Sequence, residues 1–191
     1  MQRYNSKSNV ETLVLTALMT ALVLVATSFI KVPTFFTKGY VHLGDSMVFL
    51  SVLLLGRRNG ALAGGAGSAL ADVLGGYSYF APWTLVIKFL MAYSMGLFID
   101  LADSRDPERR KGASLSAFDI IGMVIGGIVM VVGYAVAERI MYGNWAAPLA
   151  EVPWNAGQFA VGMVLASVLA AALVKTPARK YFAAHGYTAN N

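Results

Sequence analysis

Six apolar stretches, joined by short polar connections, leave this chain little choice but to fold as a bundle of helices in lipid. They run from Val10 to Ile30, Val41 to Leu55, Ala61 to Leu74, Trp83 to Leu101, Ile120 to Met141 and Asn155 to Val174. A helix rises 1.5 Å per residue, so about 20 apolar residues cross the hydrocarbon core of a bilayer. The sequence therefore predicts an all-α membrane protein, a six-transmembrane-helix bundle forming a single membrane domain over residues 1–191. Breaks are expected at Lys31 to Pro33, Gly56 to Gly60, Gly75 to Tyr77, Asp103 to Gly112 and Gly143 to Pro153, where turn formers and charges collect. No soluble domain fits between them.

Composition removes other classes. Hydrophobic residues make up 57% of the chain and charged ones 13%, too apolar a balance for a soluble enzyme. The net charge of +5 is spread over connections rather than gathered on one face, so no nucleic-acid partner is expected. The absence of cysteine excludes disulfides and thiolate metal sites, and His42 and His185 are too few for a histidine-rich centre, so no metal is expected. The first apolar stretch exceeds the roughly 7–15 residues of a signal-peptide core and lacks a small-residue cleavage site, so it is expected to remain as a helix.

Charge then orients the bundle. Alternate connections collect Arg3, Lys7, Arg57, Arg58, Arg105, Arg109, Arg110, Lys111, Lys175, Arg179 and Lys180 on one side, against Lys31 and Lys38 on the other. Basic residues favour the cytoplasmic side, so both termini are expected there. The opposite connections hold Phe35, Phe36, Tyr40, Tyr77, Tyr79, Phe80, Trp83, Trp145 and Trp154, which suit an interfacial belt or a covering loop. The second and third stretches are too short for the core, and Arg57 and Arg58 pin their shared turn to the cytoplasmic surface. Their shortfall predicts an outward-opening cavity, because irregular backbone at membrane depth must line one.

Polar groups inside apolar spans mark where that cavity lies. His42 and Asp45 are close enough in sequence to share a helix face, and Asp72, Lys88, Glu138, Asn155 and Gln158 occupy the same outer third. Asp72 with Lys88 forms either a structural ion pair or a ligand contact. Small residues recur at four-residue spacing in Ala17 and Ala21, in Gly60, Gly64 and Ser68, in Gly122 and Gly126, and in Gly162, Ala166 and Ala170. Such stripes let membrane helices approach closely, and the Ala17 and Ala21 pair is the candidate to receive a partner. No phosphate-binding loop, credible catalytic pair or inverted repeat is present, so the chain reads as one part of a transporter rather than an enzyme.

These features resemble the substrate-binding S components of energy-coupling factor (ECF) transporters. The likeness lies in Ala17-x-x-x-Ala21, in Val41-His42-Leu43-Gly44-Asp45-Ser46, in the turn Leu55 to Ala61, and in Gly67 to Gly76 with its Ala71-Asp72-Val73-Leu74-Gly75-Gly76 end. Tyr79 to Phe89 looks closest to the branch handling hydroxymethylpyrimidine and pyridoxine-type vitamins. The resemblance implies an S component in a prokaryotic plasma membrane. It would bind a vitamin from outside, then deliver it with a transmembrane scaffold (T) component and two cytoplasmic ATPase subunits. The protein itself would need no cofactor, since ATP would be used by those partners. Ala17 and Ala21 would meet the scaffold, and residues Lys31 to Tyr40 would gate the pocket.

On this reading a planar heteroaromatic ring would stack on Tyr77, Tyr79, Trp83 or Tyr134, while Asp72, Lys88, Glu138, Asn155 and Gln158 bond its nitrogens and hydroxyls. Two rivals remain. One is a self-sufficient small carrier coupled to protons through Asp72. The other is a membrane enzyme acting on lipid through Asp45 and Asp72.

Overall fold

The computed structural model describes residues 9–29, 31–34, 40–105, 115–178 and 181–182. Arg3, Lys7, Phe35, Phe36, Lys38, Arg109, Arg110, Lys111, Arg179, Lys180 and His185, all used in the sequence reading, lie outside them. The described residues form five helices: α1 (Asn9–Phe29), α2 (Gly44–Leu74), α3 (Ala81–Arg105), α4 (Ala117–Tyr142) and α5 (Ala146–Leu173). Between α1 and α2 sits a small antiparallel hairpin of β1 (Lys31–Pro33) and β2 (Tyr40–His42), with Val32 opposite Val41. Four helices, α1, α3, α4 and α5, are long and apolar enough to cross a membrane.

Five helices replace the six expected because the second and third apolar stretches share one element. Within α2, Gly56 adopts φ 81° and ψ 178°, a conformation open essentially to glycine alone. The chain reverses there. A Cβ on Gly60 would lie 2.6 Å from the Val52 Cα, and one on Gly64 would lie 2.9 Å from Val48 Cγ1, so the arms on either side of Gly56 run back along each other. The Ser51 hydroxyl lies between the arms, 2.7 Å from the Val48 carbonyl and 3.0 Å from the Gly60 carbonyl, with one proton to donate to either. Helical hydrogen bonding resumes so promptly after Gly56 that the expected loop from Gly56 to Gly60 is absent.

A second difference concerns α5. The connection expected from Gly143 to Pro153 is helical from Ala146 onward. Gly143, at φ 72°, closes α4 in a left-handed cap, and the Asn144 side chain accepts from the amides of Ala146 and Ala147 to start α5. Pro148 falls in the first turn, where its missing N–H costs nothing. Pro153 lies inside the helix, where one backbone hydrogen bond is forfeited and the apolar run beyond keeps the helix going. The start of α4 also shifts, to Ala117, because Ser116 and Asp119 form a capping box.

The α2 hairpin is the centre of the bundle, touching α1, α3 and α5, while α4 packs between α3 and α5. The small-residue stripes of α4 and α5 face inward: a Cβ on Gly126 would meet the Met91 carbonyl at 2.7 Å, and one on Gly162 would meet the Asp45 Cβ at 2.7 Å. Val48, Phe49, Val52, Met91, Met95, Ile99, Met123 and Met130 fill the space between. Helix α1 packs chiefly on α2, and Ala17 and Ala21 are exposed on it.

Candidate functional site

The cavity lies at one end of the bundle, roofed by the hairpin. Thr34, Tyr40 and His42 come from the hairpin region, Asp72 from the end of α2, and Phe80 and Thr84 from the start of α3. Helix α4 supplies Tyr134 and Glu138, one turn apart, and α5 supplies Glu151, Asn155 and Gln158 along a single face. Among the described residues, Phe80 is the one wholly apolar side chain in this wall.

Hydrogen bonds fix most of the wall. The Tyr40 hydroxyl donates to Asp72 Oδ1 at 2.6 Å, joining the roof to the end of α2. The Tyr40 ring lies 4.5 Å from that of Tyr77 and 5.4 Å from that of His42. Lys31 Nζ sits 4.5 Å from the centre of the Tyr40 ring and donates to the Ala71 carbonyl at 3.4 Å. Opposite, the Tyr134 hydroxyl donates to Thr84 Oγ1 at 3.2 Å.

Beneath the cavity a second polar layer is sealed from water. Lys88 and Asp45 form an ion pair in which both side chains are completely buried. Asp45 Oδ2 also accepts from Gln158 Nε2 at 2.9 Å, and Gln158 Oε1 accepts from the backbone amide of His42 at 2.9 Å. The amide of Gly44 donates to His42 Nδ1 at 3.0 Å, which keeps that nitrogen unprotonated. Gln158 thus has an acceptor-only neighbour on its nitrogen and a donor-only neighbour on its oxygen, so its orientation is set.

His42, Asp72, Tyr134, Glu138, Asn155 and Gln158, all candidates from the sequence, reach the cavity. Asp45 and Lys88 do not; they stand behind it, and the pairing is with each other rather than between Asp72 and Lys88. Tyr77 supports Tyr40 from behind, Tyr79 is exposed beside Phe80, and Trp83 packs against the apolar core. None of those three enters the wall. Sequence reasoning did not single out Thr34, Thr84 or Glu151, and it placed Tyr40 and Phe80 in either an aromatic belt or a covering loop, with Tyr40 at the end of the expected gate. Glu151, Asn155 and Gln158 follow the i, i+4, i+7 spacing of one helix face, a signal hidden by treating Pro153 as a break.

The model of the ECF-type riboflavin transporter S component matches residues 7–175. The chain belongs to this S-component family. It is accordingly a multi-pass membrane protein and the substrate-binding subunit of a transporter, not an enzyme. Among curated relatives, an uncharacterized protein of Pyrococcus woesei is 39% identical over 121 residues, spanning 63% of this chain and 74% of that one. The thiamine precursor transporter HmpT of Lactococcus lactis subsp. cremoris is 28% identical over 169 residues, 88% of this chain and 90% of the relative. Two solved structures share the fold. The S component for biotin from an ECF-type ABC transporter superposes with a TM-score of 0.67 at 17% identity, covering 93% of this chain and all of its own (100%). An S component of a bacterial ECF transporter gives 0.63 at 20% identity, covering 87% and 96%.

Proposed function

We propose that this S component captures a single-ring heteroaromatic vitamin precursor of the hydroxymethylpyrimidine or pyridoxine type from outside the cell. The observation that carries the reading is the cavity wall, where among the described residues only Phe80 carries no polar group. A small ring with nitrogens and hydroxyls satisfies such a wall, whereas a fused tricyclic ring with an apolar edge, as in riboflavin, would set that edge against carboxylates. The likeness to the thiamine precursor transporter supports the same class. Tyr40, Tyr134 and Phe80 offer ring faces, and Asp72, Glu138, Glu151 and Asn155 offer hydrogen-bonding edges.

The two arms of α2 act as separate crossings, giving six in one membrane domain. Arg57 and Arg58 at the reversal stand about 22 Å along the second arm from Asp72, which favours a cytoplasmic reversal, an outward cavity and both termini inside. Delivery proceeds with a scaffold subunit docking at Ala17 and Ala21 and two ATPases that use the ATP; the S component holds no cofactor of its own. Mass spectrometry of the ligand copurifying with the protein tests the reading. A pyrimidine or pyridine of one ring is the expected result, and riboflavin in its place overturns it.

A further inference from the structure

Tyr40 and His42 lie two residues apart on β2, so both face the same side of the strand, and that side is the cavity. Hydrogen bonds hold His42 at the backbone and at the ring. Its amide donates to Gln158 Oε1 at 2.9 Å, and its Nδ1 accepts from the Gly44 amide at 3.0 Å. A backbone N–H can only donate, so Nδ1 must keep its lone pair, and the single proton of the neutral imidazole is confined to Nε2. Burial and the Lys88 charge, with a smaller push from Lys31, outweigh the opposing Asp45 and bring the His42 pKa down to about 3. The ring is therefore uncharged at neutral pH. Gly44 belongs to the arrangement: a Cβ there would lie 2.8 Å from His42 Nδ1 and closer still to the Thr27 hydroxyl, so no larger residue fits beside this amide.

Donors are scarce in the wall that this ring faces. The Tyr40 hydroxyl is given to Asp72, that of Tyr134 to Thr84 and the Gln158 amide to Asp45. Acceptors are left over, since Asp72 Oδ2, Glu138 Oε2 and Glu151 Oε1 are buried without a hydrogen-bond partner. Among the described residues His42 Nε2 has no protein acceptor. Asn155 adapts, because no hydrogen bond among the described residues fixes which end of its amide turns inward. His42 cannot adapt. We infer that His42 is a specificity-determining residue of this cavity: its Nε2–H, held in one tautomer by the Gly44 amide, donates to an acceptor atom of the substrate. The inference rests on the cavity being the substrate site and not on which vitamin fills it. The atom that meets Nε2 must bring a lone pair, as an unprotonated ring nitrogen, a hydroxyl or a carbonyl oxygen does. An N–H or ammonium at that place sets donor against donor in a buried site, and such mismatches are rejected strongly because polar groups stay unpaired.

Nitrogen NMR on the full chain in lipid nanodiscs, carrying isotope-labelled histidine, tests this, and His185→Gln leaves His42 as the one imidazole in view. Without ligand at neutral pH, Nδ1 should resonate as a bare nitrogen and Nε2 as a protonated one. A proton on Nδ1, a charged ring or averaging between tautomers overturns the inference. A hydroxymethyl-aminopyrimidine, or riboflavin should that ring fail to bind, should then move the Nε2 proton downfield and slow its exchange with water. Saturating ligand with an unmoved Nε2 signal overturns the inference alone, whereas riboflavin binding in place of the pyrimidine sinks the single-ring reading and leaves His42 to be judged by the same signal. By calorimetry, His42→Asn should bind about tenfold more weakly, because its Oδ1 can still take the Gly44 amide while no donor reaches the cavity. His42→Gln, with an amide nitrogen near the place of Nε2, should recover part of that loss. An asparagine variant with wild-type affinity overturns the inference, and the wild-type spectra decide it if either variant fails to fold.

Discussion

Lys88 and Asp45 neutralise each other one layer below the ligand cavity, with neither side chain exposed to it. Removing one member of a buried pair strands the other charge, at a cost of about 3–5 kcal/mol. Lys88→Met and Asp45→Leu should each lower the melting temperature sharply and weaken ligand binding through misplacement of Gln158. The double substitution should recover much of the stability while binding stays impaired. Thermal unfolding and calorimetry on the three variants check this; single variants as stable as wild type would rule it out.

Tyr40 holds the hairpin to Asp72 through one charge-assisted hydrogen bond. Such bonds contribute roughly 1.5–3 kcal/mol. Tyr40→Phe keeps the ring and loses the hydroxyl, so ligand dissociation should quicken by about tenfold or more, with a fall of a few degrees in melting temperature. Stopped-flow release measurements decide it, and an unchanged off-rate refutes the latch.

Gly56 carries the reversal of α2 at a positive φ. Gly56→Ala should destabilise the protein by about 1–3 kcal/mol. Unfolding in mild detergent would show the loss, and an alanine variant as stable as wild type would contradict the strain.

Exposed alanines at positions 17 and 21 leave a shallow strip on α1. Ala17→Trp and Ala21→Trp should prevent copurification with a scaffold subunit while ligand affinity stays unchanged. Intact copurification removes this strip from the proposed interface.

The chain contains no cysteine, so single cysteines report sidedness without background. Arg58→Cys should resist impermeant maleimide added to intact cells, and Ser78→Cys should react. The reverse pattern inverts the proposed orientation.

The apolar spans and most of the polar cavity residues were legible because ionisable groups in lipid have few structural excuses. Asp72 and Glu138 stood out for that reason, and Gln158 as a polar amide at the same depth. The Asp45 and Lys88 partnership was not legible, since Asp72 and Asp45 lie at comparable depth and only the packing of α2 against α3 chooses between them. Glu151 was hidden by Pro153, whose local preference to end a helix loses to the apolar face that continues through it. The hairpin escaped notice because its three-residue strands are too short to show alternation. The count of helices failed at Gly56, where one residue in an unusual conformation does the work expected of a loop.

The two attachments of β2 differ in kind. At His42 the backbone itself is tied through Gln158 to the buried ion pair, whereas at Tyr40 only a phenol reaches Asp72. We propose that such a strand opens first at Tyr40, where side-chain contacts to Asp72, Tyr77 and Lys31 are all that would have to part, while the His42 backbone stays tied to Gln158. A ligand would then pass along the Tyr40 edge, under the same aromatic ring that covers it when the hairpin is closed.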